Sequence, residues 1–228
     1  MSAAVPGKRP TSPALIAAKT VVHGLALTPL AVLAWQFLDV YRTGSDALGA
    51  DPVAEIEHRL GIWALRLLLL TLAVTPLRQL LKQPLLLRFR RMLGLYAFAY
   101  ASLHLAAYLV LDLRGYWTQI FVEIVKRPYI TVGFAAWLLL LPLAFTSTTG
   151  WMRRLGRNWA KLHKLVYAIA VLAVLHFWWL VKSDIREPAL YAGILAALLG
   201  WRVYKALQAR RAALRAPAVV EPAARMRR

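Results

Sequence analysis

The 228-residue chain contains no cysteine, which excludes disulfides, cysteine-ligated zinc, iron–sulfur clusters and thiol catalysis. Acidic residues are also scarce, with 10 Asp and Glu against 29 Lys and Arg. The acids fall outside the centres of the long apolar stretches, so the sequence gives no support to a carboxylate-lined path for protons or cations. The chain is 60% hydrophobic, which is more apolar than an ordinary soluble domain.

Six apolar stretches are long enough to cross roughly 30 Å of hydrocarbon as helices, at about 1.5 Å per residue. Basic residues flank these stretches, so the excess of positive charge favours membrane topology over nucleic-acid binding. No internal repeat is evident, and the first stretch is predicted to be an uncleaved helix rather than a signal peptide. The sequence predicts an all-α, polytopic membrane bundle of six transmembrane helices, near Leu15–Leu38, Leu60–Leu80, Met92–Leu111, Tyr129–Phe145, His163–Val181 and Ala189–Leu207.

The distribution of charge between the loops predicts the orientation. The N-terminal segment, the second–third and fourth–fifth connections and the C-terminal tail together carry twenty-one Lys and Arg against one acid, Glu221. The opposite side carries eight bases and the other nine acids. Because Lys and Arg resist translocation, both termini are predicted to be cytoplasmic. The predicted organisation is a cytoplasmic segment (1–14), a transmembrane domain (15–207) and a basic, disordered cytoplasmic tail (208–228).

Two histidines are predicted to share one depth within the bundle. The third and fifth spans begin on the same side and run parallel, and His104 and His176 lie 13 residues beyond Arg91 and His163 respectively. Both therefore lie roughly 20 Å along their helices, in the outer half of the bilayer. Two imidazoles at one level on facing helices suit axial ligation of a haem iron. A single intramembrane histidine, taken alone, is about as often a hydrogen-bonding partner between helices as a haem ligand.

Four other polar side chains lie within the predicted spans or at their ends: His163, His23, Arg66 and His58. His163 lies at the predicted cytoplasmic interface, and on a continuous helix the rotation of about 220° to His176 turns it to a different face. It could ligate a second haem with His23, contact a flavin or a donor protein, or be only an interfacial histidine. Arg66 could neutralise a haem propionate or extend toward the outer interface. His58 is expected in an exposed loop.

Short motifs are distributed over most of the chain, from about Leu15 to Leu207. They are Gly49–Val53, Thr75–Leu77, Lys82–Leu86, Arg90–Leu95, Leu103–Leu105, Arg127–Tyr129, Leu143–Thr148 and Leu162–Tyr167. With these motifs the chain resembles the MsrQ (YedZ) family, the haem-binding membrane subunits of bacterial methionine-sulfoxide reductase systems. That family is part of the ferric-reductase-like transmembrane superfamily.

The resemblance implies an electron-transfer subunit of the bacterial inner membrane that contains b-type haem and FMN. Such a subunit passes electrons from a cytoplasmic flavin reductase or from quinol to a periplasmic molybdopterin partner, MsrP, which itself reduces methionine sulfoxide. The family's haem-associated histidines correspond to His104, His163 and His176. No residue pattern places an FMN, and the chain has no Gly-rich dinucleotide fingerprint. A membrane transporter and a structural anchor for a periplasmic partner are the alternative functions.

Overall fold

A computed structural model describes residues 12–181 and 183–215. Within those ranges the chain forms nine α-helices and no strand. A 3₁₀ turn at Pro84–Leu86 precedes α3, and a π-helical turn at Tyr108–Asp112 follows it. The helices are α1 (Pro13–Thr43), α2 (Pro52–Leu81), α3 (Leu87–Ala107), α4 (Trp117–Lys126), α5 (Pro128–Phe145), α6 (Thr149–Leu155), α7 (Arg157–Leu162), α8 (Leu165–Leu180) and α9 (Arg186–Arg215).

Six of these segments are long and apolar enough to cross a membrane, which confirms the predicted all-α bundle of six spans. The helix boundaries differ from the predicted ones at several places, and two of the differences matter for the site or the tail. Helix α2 begins at Pro52, where the Asp51 side chain accepts a hydrogen bond from the Ala54 N–H, so Glu57 and His58 are helical rather than in a loop. Helix α9 continues past Leu207 to Arg215, so residues 208–215 are helical. The rest of the predicted tail lies outside the described residues.

Four helices form a closed ring around the centre of the bundle. Helix α2 packs along α3, α5 packs along α8, and the two pairs meet through α3 against α5 and α2 against α8. Leu72 and Ile169 are fully buried in the core. Helix α1 packs against α2 and α3, whereas α9 packs against α2 and α8. The outward faces expose large apolar side chains such as Leu25 and Val203, as expected for helices surrounded by lipid.

The fifth predicted span is not one continuous helix. Helices α7 and α8 are separated by a turn at His163 and Lys164. The rotation predicted for His163 relative to His176 assumed an unbroken helix, so it stays a prediction.

Two prolines open the hydrogen-bond pattern of the spans, and side chains from other helices compensate. Near Pro29 in α1, the Tyr100 hydroxyl accepts from the Leu30 N–H (3.2 Å) and donates to the Ala26 carbonyl (2.7 Å). In α2, Pro76 has no N–H to donate to the carbonyl of Leu72. Arg202 of α9 donates to that carbonyl instead, at 2.5 Å. These contacts provide hydrogen-bond partners for backbone groups near the prolines, because lipid tails cannot form hydrogen bonds.

The link between Pro76 and Arg202 predicts a specific non-additivity. Arg202→Met should destabilise the protein because it leaves the Leu72 carbonyl without a donor. In a Pro76→Ala background, the restored N–H at residue 76 should reduce that loss by about 1.5 kcal/mol. Denaturant unfolding of the four proteins in detergent measures the coupling. Arg210→Met, on the exposed end of α9, is the matched control, and additive losses for Arg202→Met and Pro76→Ala would contradict the assignment.

Candidate functional site

His104 of α3 and His176 of α8 face each other at the centre of the ring of four helices. Their ring centroids are 6.1 Å apart, and the ring planes are inclined by 70°. The prediction that the two histidines share one depth is thus confirmed. Within the described residues, no group of three or more His, Asp or Glu side chains is arranged to hold a metal ion.

A backbone carbonyl fixes the tautomer of each ring. Nδ1 of His104 lies 2.9 Å from the Glu57 carbonyl oxygen in α2, and Nδ1 of His176 lies 2.7 Å from the Tyr129 carbonyl oxygen in α5. A carbonyl oxygen can only accept, so both Nδ1 atoms must carry the hydrogen. Each Nε2 then has a lone pair available for a metal ion, the arrangement found where a ligating histidine is held by an outer partner.

The two histidines line one cavity inside the ring of four helices, and α4 and the π-helical turn also contribute lining residues. Its surface is mostly apolar, and small side chains such as Ala101 and Ala173 lie one turn before each histidine. The lining residues of the four helices are Glu57, His58, Gly61, Ile62, Ala64, Leu65 and Leu68 of α2; Ala97, Ala101, His104 and Leu105 of α3; Tyr129, Ile130, Gly133, Phe134, Ala136, Trp137 and Leu140 of α5; and Ile169, Ala173, His176, Phe177 and Leu180 of α8.

These lining positions reveal an internal repeat that the sequence analysis did not find. Each lining residue of α2 and α3 has a counterpart in α5 or α8 that lies 72 positions later. His104 corresponds in this way to His176, and Glu57 to Tyr129. The pairs α2–α3 and α5–α8 thus contribute their lining residues in a common register, although α5 is shorter than α2. Few residues are identical between the copies, which explains why the sequence alone does not display the repeat.

His163 lies apart from this pair, in the turn between α7 and α8. Its ring stacks on Trp159 with a centroid distance of 3.9 Å, and Nδ1 lies 3.1 Å from the Trp159 carbonyl oxygen. Its Nε2 is buried and has no hydrogen-bond partner among the described residues. His23 is exposed, and its Nδ1 lies 2.7 Å from the Tyr96 hydroxyl. The His163 ring thus contacts Trp159, and the His23 ring contacts Tyr96. That these two histidines together ligate a second haem stays a prediction.

Arg66 also lies outside the cavity lining. Its Nε donates to the Tyr191 hydroxyl at 2.9 Å, and its guanidinium lies 5.0 Å from the centroid of the Trp63 ring. The structure therefore does not bring Arg66 together with His104 and His176. Its predicted contact with a haem carboxylate stays a prediction.

The sequence analysis missed a polar end of the cavity. Glu57, His58, Asp112 and Arg127 all line it there. The Arg127 guanidinium donates to the Glu123 carboxylate at 2.6 Å and to the Tyr129 hydroxyl at 3.0 Å. The Asp51-Pro52 pair could have revealed part of this end, because an N-cap residue followed by proline marks a helix start and would have placed Glu57 within α2.

Comparison with known proteins defines the class. Residues 60–174, which contain His104, His163 and most of the repeat, match the family model described as "Ferric reductase like transmembrane component". No solved structure matches the chain significantly.

Curated relatives define the family within that class. The chain is 76% identical over 205 residues to the "Protein-methionine-sulfoxide reductase heme-binding subunit MsrQ" of Xanthomonas euvesicatoria pv. vesicatoria. This alignment covers 90% of this chain and 94% of the relative. The protein of the same name from Caulobacter vibrioides is 48% identical over 191 residues, covering 82% and 88%. The chain belongs to the MsrQ family.

Proposed function

We propose that the protein holds a b-type haem between His104 and His176 and passes electrons through it across the bacterial inner membrane. The separation of the two imidazoles is the observation that carries the proposal. A bond from a metal to an imidazole nitrogen is about 2.0 Å long, and the centroid of the imidazole lies about 1.1 Å beyond that nitrogen. Two imidazoles that bind one metal from opposite sides therefore have centroids about 6.2 Å apart. The observed centroid distance is 6.1 Å.

The composition of the site fits the same group. A haem macrocycle supplies four nitrogen ligands to its iron, so two axial histidines complete the set. Ala101 and Ala173 leave space beside the histidines, and the apolar lining suits the faces of a macrocycle. Arg127 lies among the lining residues at the polar end, where a carboxylate of the haem could meet a cation. Arg66 remains a second candidate for that contact.

A bound haem would supply a one-electron carrier, and the residues of this chain would determine its setting. His104 and His176 would hold the iron of the haem through Nε2, because the bond at Nδ1 leaves the lone pair of Nε2 free. The ring of helices would exclude water and maintain a low dielectric around the group. His163 is proposed as a site on the cytoplasmic side, for a second haem, a flavin such as FMN, or the donor.

The names of the relatives support the wider setting, because they describe heme-binding subunits of a protein-methionine-sulfoxide reductase. We propose that electrons enter from a cytoplasmic flavin reductase or from quinol, and leave to a periplasmic molybdopterin subunit, MsrP. Sulfoxide reduction would then occur in the partner, and this chain would act as its electron-transfer subunit. The twenty-one bases on one side of the bundle support cytoplasmic termini.

Removing either axial histidine should remove the haem signal. For His104→Ala and His176→Ala, we expect loss of the b-type band in the reduced-minus-oxidised spectrum of the purified protein, because one axial ligand is gone. Tyr204→Ala is the control, because this aromatic ring of α9 is 55% exposed and does not line the cavity. A folded wild-type protein that binds no haem would contradict the proposal.

The direction of electron flow predicts a dependence of the partner on this chain. Membranes that contain the protein and are supplied with NADH or quinol should reduce a purified periplasmic methionine-sulfoxide reductase, measured as loss of methionine sulfoxide. Membranes with equal amounts of the His176→Ala variant should give only the background rate of membranes that lack the protein. Equal reduction in all three preparations would exclude the proposed role.

A further inference from the structure

Each histidine of the pair reaches a carbonyl that is already engaged within a helix. In an α-helix the carbonyl of residue i accepts from the N–H of residue i+4. Each Cα–Cβ bond also tilts toward the helix N-terminus, so the Cβ of residue i+4 lies beside that carbonyl. A side chain at i+4 would therefore obstruct a second donor that approaches the carbonyl from this side.

A glycine occupies the i+4 position in both halves of the repeat. Gly61 is four residues after Glu57, and Gly133 is four residues after Tyr129. A methyl group at residue 133 would lie 2.7 Å from Nδ1 and 2.8 Å from Cε1 of His176. At residue 61 it would lie 3.2 Å from the same two atoms of His104. Both glycines thus provide the space in which an imidazole lies.

Other glycines in the spans do not share this property. A methyl group at Gly24, Gly193 or Gly200 would meet nothing within 4 Å apart from its chain neighbours and the adjacent backbone of its own helix. At Gly94 it would make only an ordinary contact, 3.7 Å from the Thr71 methyl carbon. Close approach to a histidine is thus confined to the two glycines that the 72-residue repeat relates.

We propose that Gly61 and Gly133 are positioning residues for the haem: they admit each imidazole to the carbonyl four residues earlier and so set the direction of its Nε2. This inference rests on the proposed haem site. Alanine at residue 133 must displace His176, because 2.7 Å is shorter than non-bonded carbon and nitrogen atoms tolerate. Alanine at residue 61 demands only a few tenths of an ångström from His104, so its effect should be smaller.

The test compares three full-length variants, Gly133→Ala, Gly61→Ala and the matched control Gly193→Ala, by haem titration and optical spectroscopy of the purified proteins. We expect Gly133→Ala to lower the haem affinity about 10- to 100-fold, the usual result of losing an outer partner of a metal ligand. Its remaining haem should lose the six-coordinate spectrum, and added free imidazole should restore it. The haem affinity and the midpoint potential of Gly61→Ala should be intermediate between those of Gly133→Ala and those of Gly193→Ala.

Imidazole rescue separates positioning from general damage, because a free ligand can replace a displaced histidine but cannot repair a misfolded bundle. If Gly133→Ala keeps the affinity, spectrum and midpoint potential of Gly193→Ala while His176→Ala loses haem, the positioning inference fails and the haem site stands. If circular dichroism shows that Gly133→Ala does not fold, the comparison of Gly61→Ala with Gly193→Ala tests the inference instead. Equal haem affinity and midpoint potential in these two variants would overturn it. A wild-type protein without haem would instead overturn the proposed function.

Discussion

The hydrogen bond from each histidine Nδ1 to a helix carbonyl is the interaction on which the rest of the site depends. An imidazole N–H without a partner in hydrocarbon costs about 2–7 kcal/mol, so one ring nitrogen must be satisfied before the other can serve a ligand. A helix carbonyl can accept this second bond where no side chain obstructs it. Since the donor and the acceptor lie on neighbouring helices, the bond also fixes how closely α2 approaches α3 and α5 approaches α8. One interaction therefore sets the tautomer, the direction of Nε2 and the packing of both helical pairs.

The repeat explains why two sites so far apart in sequence meet at one level. Helices α2 and α3 carry the carbonyl of Glu57 and the ring of His104, and α5 and α8 carry the carbonyl of Tyr129 and the ring of His176, in the same register. The ring of four helices closes through α3 against α5 and α2 against α8, which are equivalent contacts under exchange of the two halves. Equal depth of the histidines is then a property of the architecture and does not need separate adjustment of each helix.

Much of this arrangement could be predicted from the sequence because hydrophobic length and residue counting are sufficient for it. Six apolar stretches give the spans, and two parallel helices counted from one membrane side place His104 level with His176. The break in the helix at His163 and Lys164 could not be predicted, because neither proline nor glycine marks that turn. The repeat was missed because few residues are identical between its halves, and shared residues such as Ala101 and Ala173 are of a type that membrane helices use widely. The partner of each histidine could not be predicted, because a backbone carbonyl has no signature in the sequence.

The two halves of the repeat differ where the cavity becomes polar. Glu57 and His58 of α2 have Tyr129 and Ile130 as their counterparts in α5, so the first half supplies the ionisable groups of that end. The opposite end is apolar. Because an ionised group is costly in a low dielectric, a ligand with an apolar body and a charged edge has one favourable placement, with its edge at the polar end. The histidines themselves are held by backbone atoms, which no substitution removes. Substitution of the side chains at the polar end therefore leaves the hydrogen bonds that hold His104 and His176 in place.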